Sequence, residues 1–186
     1  MDPPRLQCMA WPAPRRMIER EQHLLVLFPA GRTVPQGIPA RESLTAAMRR
    51  RRVTAIELSR SPVFVDLGTG ARVAFAAVDD TVPAFDRLTM LRKAAAPLLE
   101  EAPETVAVWI SPHLGKATLR QARFVLAANG MPLPTRRRKP TRSLRGIRLY
   151  AGQAPSGPDA VDALVRGNHL CRELTSLPAN ALTPAA

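Results

Sequence analysis

The chain has 186 residues, 46% hydrophobic but only 4% aromatic, enough for one domain whose core is built from Leu, Val, Ala and Ile rather than large rings. Lys and Arg number 27 against 15 Asp and Glu, a formal charge of +12, and only Lys93, Lys116 and Lys139 are lysines; this arginine surplus attracts polyanions without encoding sequence recognition. Cys8 and Cys171 lie too far apart in the sequence for a disulfide framework or a zinc spacing, the apolar runs are too short to cross a bilayer, and the expected location is cytoplasmic.

Residues 1–22 carry Pro3, Pro4, Pro12 and Pro14 beside Arg15 and Arg16, a composition that predicts a flexible arm. Residues 23–29 then form a continuous apolar run closed by Pro29 and Gly31, which reads as a strand buried on both faces. Over 41–52, Leu44, Ala47 and Met48 recur at helical spacing and Arg49, Arg50, Arg51 and Arg52 close the segment, where cations complement the helix dipole. Residues 53–58 and 63–67 are predicted as short strands, and Gly68, Thr69 and Gly70 as a tight turn into a strand over 71–78, giving an antiparallel hairpin at a sheet edge.

Phe85, Leu88, Leu91, Ala95 and Leu98 predict an amphipathic helix capped by Asp80 or Thr81, with Pro97 kinking its end. A strand over 104–110 follows, then a helix over 116–129 with Leu119, Ala122 and Leu126 on one face and Gly130 as its cap. Residues 131–145 are proline-rich and basic, with Arg136, Arg137, Arg138 and Lys139 in an exposed loop. A last strand over 146–150 precedes a helix opened by Pro158 and Asp159, with Val161, Leu164, Val165 and Leu174 as its apolar positions. The alternation of strands and helices predicts an α/β fold, a mixed, mainly parallel sheet flanked by helices on both faces.

Three groups of residues invite a chemical reading, and each has a structural explanation beside it. Asp79 and Asp80 close a strand where acid, base or metal-ligand sites form in α/β sheets, but helix capping accounts for them. His23, His113 and His169 are isolated, and His169 and Cys171, two apart on a helix, point to different faces. Gly68, Thr69 and Gly70 lack the third glycine and following helix of a dinucleotide fingerprint.

The end of the last helix is more specific. Arg172, Glu173 and Leu174 are followed by Pro178, Asn180, Leu182, Thr183 and Pro184, a pattern that resembles the linker of the leucine aminopeptidase family, with Cys171 and Ser176 where that family more often has Ala and Asn. The resemblance implies an α/β N-terminal domain over 23–158 and, over 159–186, a linker helix and the start of a catalytic domain that this chain does not carry. It implies two divalent metals, zinc or manganese, only for a full-length member, no catalytic or cofactor-binding residue here, and the family's catalytic domain or a homo-oligomer as partner. The expected role is therefore non-catalytic, in assembly or in access to a peptidase domain. The alternative is a nucleic-acid-binding accessory module with DNA as partner, in which Arg49, Arg50, Arg51, Arg52, Arg136, Arg137, Arg138 and Lys139 meet phosphates; no aromatic residue interleaves with them to stack on single-stranded bases.

Overall fold

A computed structural model describes residues 2–132, 142–152 and 160–176. In chain order it contains β1 (Arg5–Cys8), α1 (Arg15–Ile18), β2 (His23–Pro29), α2 (Arg41–Arg51), a 3-10 turn (Ile56–Ser59), β3 (Val63–Asp66), β4 (Arg72–Val78), α3 (Ala84–Leu99), β5 (Thr105–Ile110), α4 (Lys116–Gly130), β6 (Gly146–Tyr150) and α5 (Ala160–Ser176). The strands form one six-stranded sheet in the order β1-β6-β5-β2-β4-β3. Only β3 runs antiparallel to its neighbour; every other pairing is parallel. The expected mixed, mainly parallel sheet is thus the observed one.

Strand alternation divides the core into two layers. Leu25 and Leu27 of β2, Ala74 and Ala76 of β4 and Val108 of β5 face Leu91, Leu98, Leu126 and Val165 of α3, α4 and α5. Leu24, Val26 and Phe28 of β2 and Phe75 of β4 face the other way, against Leu44 and Ala47 of α2 and Leu58 of the 3-10 turn. Helices therefore cover both faces, which is why the central strands read as unbroken apolar runs. Each fully buried Leu contributes about 1.5–3 kcal/mol relative to an exposed one. None of the described helices is long and apolar enough to cross a membrane.

The structure departs from the sequence expectations at four places. The segment expected as a flexible arm supplies β1, which pairs in parallel with β6, while Arg5 N donates to Arg145 O and Met9 N to Leu149 O. Without it the outer edge of β6 would present unpaired backbone groups, and four residues between the prolines suffice to cover that edge. Residues 53–58 do not form a strand. Glu57 Oε2 accepts from Thr54 N at 2.6 Å and from Thr54 Oγ1 at 2.7 Å, a local bond that closes a helical turn instead of leaving the backbone for a sheet.

At the start of α3 the N-cap position is Pro83, with no side-chain cap bond. Neither Asp80 nor Thr81 caps it, because Asp79 captures Thr81 first. Gly130 is the last residue of α4 and Met131 follows as its C-cap; the glycine serves a close approach, since a Cβ there would lie 2.6 Å from Leu144 Cβ. The hairpin is as expected: Leu67 N donates to Ala71 O at 2.8 Å, and Gly70, with φ 85°, occupies the left-handed position of the turn.

Candidate functional site

In an open parallel sheet, ligands sit at the carboxyl edge, where successive connections leave on opposite faces. Here β2 leads to α2 on one face while β5, its neighbour, leads to α4 on the other. Beside that point, above the ends of β5 and β6, lies a hollow of about 220 Å³ whose walls include Trp11, Ser111, Gly115, Lys116 and Gly152. The Trp11 ring is held 5.8 Å from that of Trp109, tilted by 43°. Ser111, 3% exposed, extends the sheet, its amide donating to Leu27 O. Its hydroxyl oxygen accepts from the His113 amide at 3.4 Å, so the histidine that follows the strand engages this serine through backbone and not as a ring base. The hollow thus offers one hydroxyl, the Lys116 ammonium and the positive end of α4.

The acidic pair at the end of β4 is occupied elsewhere. Asp79 Oδ1 accepts from Thr81 Oγ1 at 2.6 Å and from Thr81 N at 2.9 Å, and the hydroxyl and then the amide hold its carboxyl below the usual range. An aspartate fixed in its ionised form by its own turn is a structural acceptor, not a proton donor. The Asp80 carbonyl and the Val82 carbonyl both accept from Arg87 Nη1, at 3.2 and 2.6 Å. The turn between β4 and α3 is therefore tied to α3 from both sides.

His23 lies at the opposite, amino edge. Its Nε2 donates to Glu101 Oε2 at 2.6 Å; Glu101 Oε1 meets Arg72 Nη1 at 2.7 Å, and Arg72 Nε donates to Asp66 Oδ1 at 2.8 Å. This chain of ion pairs joins the starts of β2 and β4 to the end of β3 and the turn after α3. The guanidinium of Arg72 lowers the Asp66 carboxyl. His113 is exposed, whereas His169 is 8% exposed on the inner face of α5, and Cys171 is exposed two residues on. Among the described residues no group of three or more His, Cys, Asp or Glu lies together to hold a metal.

Of the residues singled out by the aminopeptidase-like pattern, Arg172, Glu173 and Leu174 lie on α5. Arg172 Nη1 donates to the Ala128 carbonyl near the end of α4, which fixes that end of α5, while Glu173 and Leu174 are exposed. Pro178, Asn180, Leu182, Thr183 and Pro184 lie outside the described residues, as do Arg136, Arg137, Arg138 and Lys139. Arg49, Arg50 and Arg51 form the last turn of α2 and Arg52, with φ 56°, its C-cap; all four are exposed, and Arg51 Nη2 donates to Phe64 O at 3.2 Å.

Two features escaped the sequence reading. Trp11 and Ser111 meet only through the parallel β1–β6–β5 pairing, which joins residues about a hundred apart. The other is the outer face of α5: Val161 and Val165 are buried as expected, but Leu164 and Leu174 are 60% and 47% exposed, so the helix carries two apolar stripes.

No known protein family matches the chain by sequence, and no curated protein does. Among solved structures it is similar to a mutant of tomato leucine aminopeptidase, with a TM-score of 0.62 at 15% sequence identity, over 99% of this chain and 41% of that one. The chain therefore spans less than half the length of that enzyme and shares its fold over that part.

Proposed function

We propose that this chain acts as the non-catalytic, N-terminal type of domain of a leucine aminopeptidase-like protein, serving assembly or access to a peptidase domain. The observation that carries the proposal is that nearly the whole chain, 99% of it, superposes on 41% of an aminopeptidase. Two independent features support it: Arg172, Glu173 and Leu174 fall at the end of α5, where the family-like linker pattern requires a helix, and Asp79 at the carboxyl edge is engaged in its own turn. The test is hydrolysis of leucine p-nitroanilide by the pure chain with manganese or zinc added. No turnover above buffer is expected, and metal-dependent turnover by the pure chain refutes the proposal.

A second reading, nucleic-acid binding, is favoured by the formal charge of +12 and by the exposed arginines that end α2. Its measurement is duplex DNA affinity against salt, because phosphate contacts require affinity to fall steeply as counterions are added.

A further inference from the structure

The outer face of α5 has the pattern of a helix seam and is exposed along its described length. At 100° per residue, Ala160, Gly167 and Leu174 recur every seven positions, Ala163 and Leu170 fall three residues after the first two, and Leu164 and Cys171 flank them. All seven are exposed, with Leu164 60%, Leu170 55% and Leu174 47% accessible, and a Cβ built on Gly167 meets nothing within 4 Å. The inner face is already occupied: Val161 and Val165 are buried, Arg123 Nη2 donates to Asp162 Oδ1 at 2.6 Å, and Arg172 holds Ala128 O on α4. An apolar stripe about 20 Å long on a helix fixed this way is a docking surface rather than a scatter of surface leucines.

The stripe is complementary to itself in one orientation. In a parallel pair each residue meets its own copy, so Gly167 faces Gly167 and Ala163 faces Ala163, which leaves gaps in the seam. Run antiparallel about a two-fold axis beside residues 168 and 169, the same helices oppose Gly167 with Leu170 and Ala163 with Leu174, small against large in every layer. The same register brings Leu164 opposite Cys171 and, along one flank, Arg166 opposite Glu173 of the second copy. Charge and volume thus select the same arrangement.

We propose that α5 is a self-association surface through which two copies of this chain dock, their α5 helices antiparallel in that register. The inference is independent of the aminopeptidase reading: it needs only α5, and a monomeric chain would leave the peptidase test untouched. One helix pair is a small interface, so the dimer is expected to dissociate in the micromolar range.

Sedimentation of the full chain should show a concentration-dependent dimer. Gly167→Glu, which enters open space but sets a carboxylate in the seam, should give a monomer with unchanged circular dichroism. Glu173→Arg should weaken the dimer about tenfold, and Arg166→Glu combined with Glu173→Arg should restore it. In a Cys8→Ser background, Leu164→Cys should cross-link to Cys171 of the other copy under mild oxidation. Cys171 alone should not, because its own copy lies about 7.5 Å away along the axis in addition to the separation of the two helices, beyond disulfide reach. A monomer at about 100 µM, the weak end of specific association, overturns the proposal. So does self-cross-linking of Cys171 alone, or a charge swap that fails to rescue.

Discussion

Tyr150→Phe tests how the N-terminal segment is locked onto the sheet. Tyr150 ends β6, is 1% exposed, and donates its hydroxyl to Glu21 Oε1 at 2.6 Å; Arg148 Nη1 donates to Glu21 Oε2 at 3.0 Å. Glu21, 7% exposed, follows α1, so this cluster ties residues before β2 to the strand beside β1. The substitution keeps the ring and removes one of the two donors, leaving a carboxylate oxygen buried and poorly paired. Hydrogen bonds to charged groups contribute about 1.5–3 kcal/mol, so a loss of about 2 kcal/mol is expected, lowering Tm by about 4–8 °C for a chain of this size.

The same geometry sets a pH dependence. Burial, and next the bond to Glu21, raises the Tyr150 hydroxyl above its ordinary 10.0. Because the folded value lies above the unfolded one, this stabilisation is fully present below pH 10.0 and is lost as pH rises through the folded value. Tyr150 is the only tyrosine, so tyrosinate absorbance follows it alone. The native chain should show no tyrosinate just above pH 10.0 while the denatured chain does. Stability of the wild type should fall with pH there more steeply than that of Tyr150→Phe. A midpoint at 10.0 in the folded chain, or a substitution that costs less than about 0.5 kcal/mol, would refute the account.

Gly130→Ala should destabilise by about 1–3 kcal/mol although alanine is the better helix former, because its Cβ would lie 2.6 Å from Leu144 Cβ and 2.8 Å from Leu144 Cδ2; an unchanged or higher Tm contradicts this. On acidification, Asp66, held by Arg72, Asp79, held by Thr81, and Glu57, held by Thr54, all ionise below their ordinary values of 3.8, 3.8 and 4.5. Their contribution is present above those values and lost as pH falls through the lower folded ones, so thermal midpoints should hold from neutral pH and drop only below about 4.5. Asp79→Ala should reduce that drop. For duplex DNA, Arg49→Ala with Arg50→Ala should reduce both affinity and the steepness of its salt dependence if α2 meets phosphate; unchanged binding excludes that end of α2 as the contact.

The layered sheet was legible because central strands advertise themselves. The unbroken apolar run over β2 reads as a strand buried on both faces, and the spacing of Leu119, Ala122 and Leu126 in α4 reads as a helix against the sheet. Short segments were not legible in the same way. β1 is four residues long and mostly exposed, and exists because β6 offers it an edge, a fact of tertiary pairing absent from residues 5–8 themselves. Residues 53–58 have strand composition, but one bond from Thr54 to Glu57 overrides it. The sequence places Gly130 as a cap because glycine after a helix usually answers a backbone need, whereas here it answers Leu144, a residue 14 positions on.

The same distinction explains where the chain can act. At the carboxyl edge two polar side chains are engaged in local structure: Asp79 closes a turn on Thr81, and Ser111 accepts the His113 amide. On α5 the opposite holds. Arg123, Arg172 and the inner valines hold the helix firmly on α4, and that rigidity keeps its outer stripe presented to solvent rather than folded inward. A sequence with only one apolar face to bury would place Leu170 and Leu174 with Val161 and Val165, yet at 100° per residue those two leucines fall on the other side of the helix, and Leu164 lies between the two faces, about 60° from Val161. Two apolar faces lie on one helix, the inner buried against α4 and the outer exposed among the described residues, and the outer one is what the proposed pairing of α5 helices would bury.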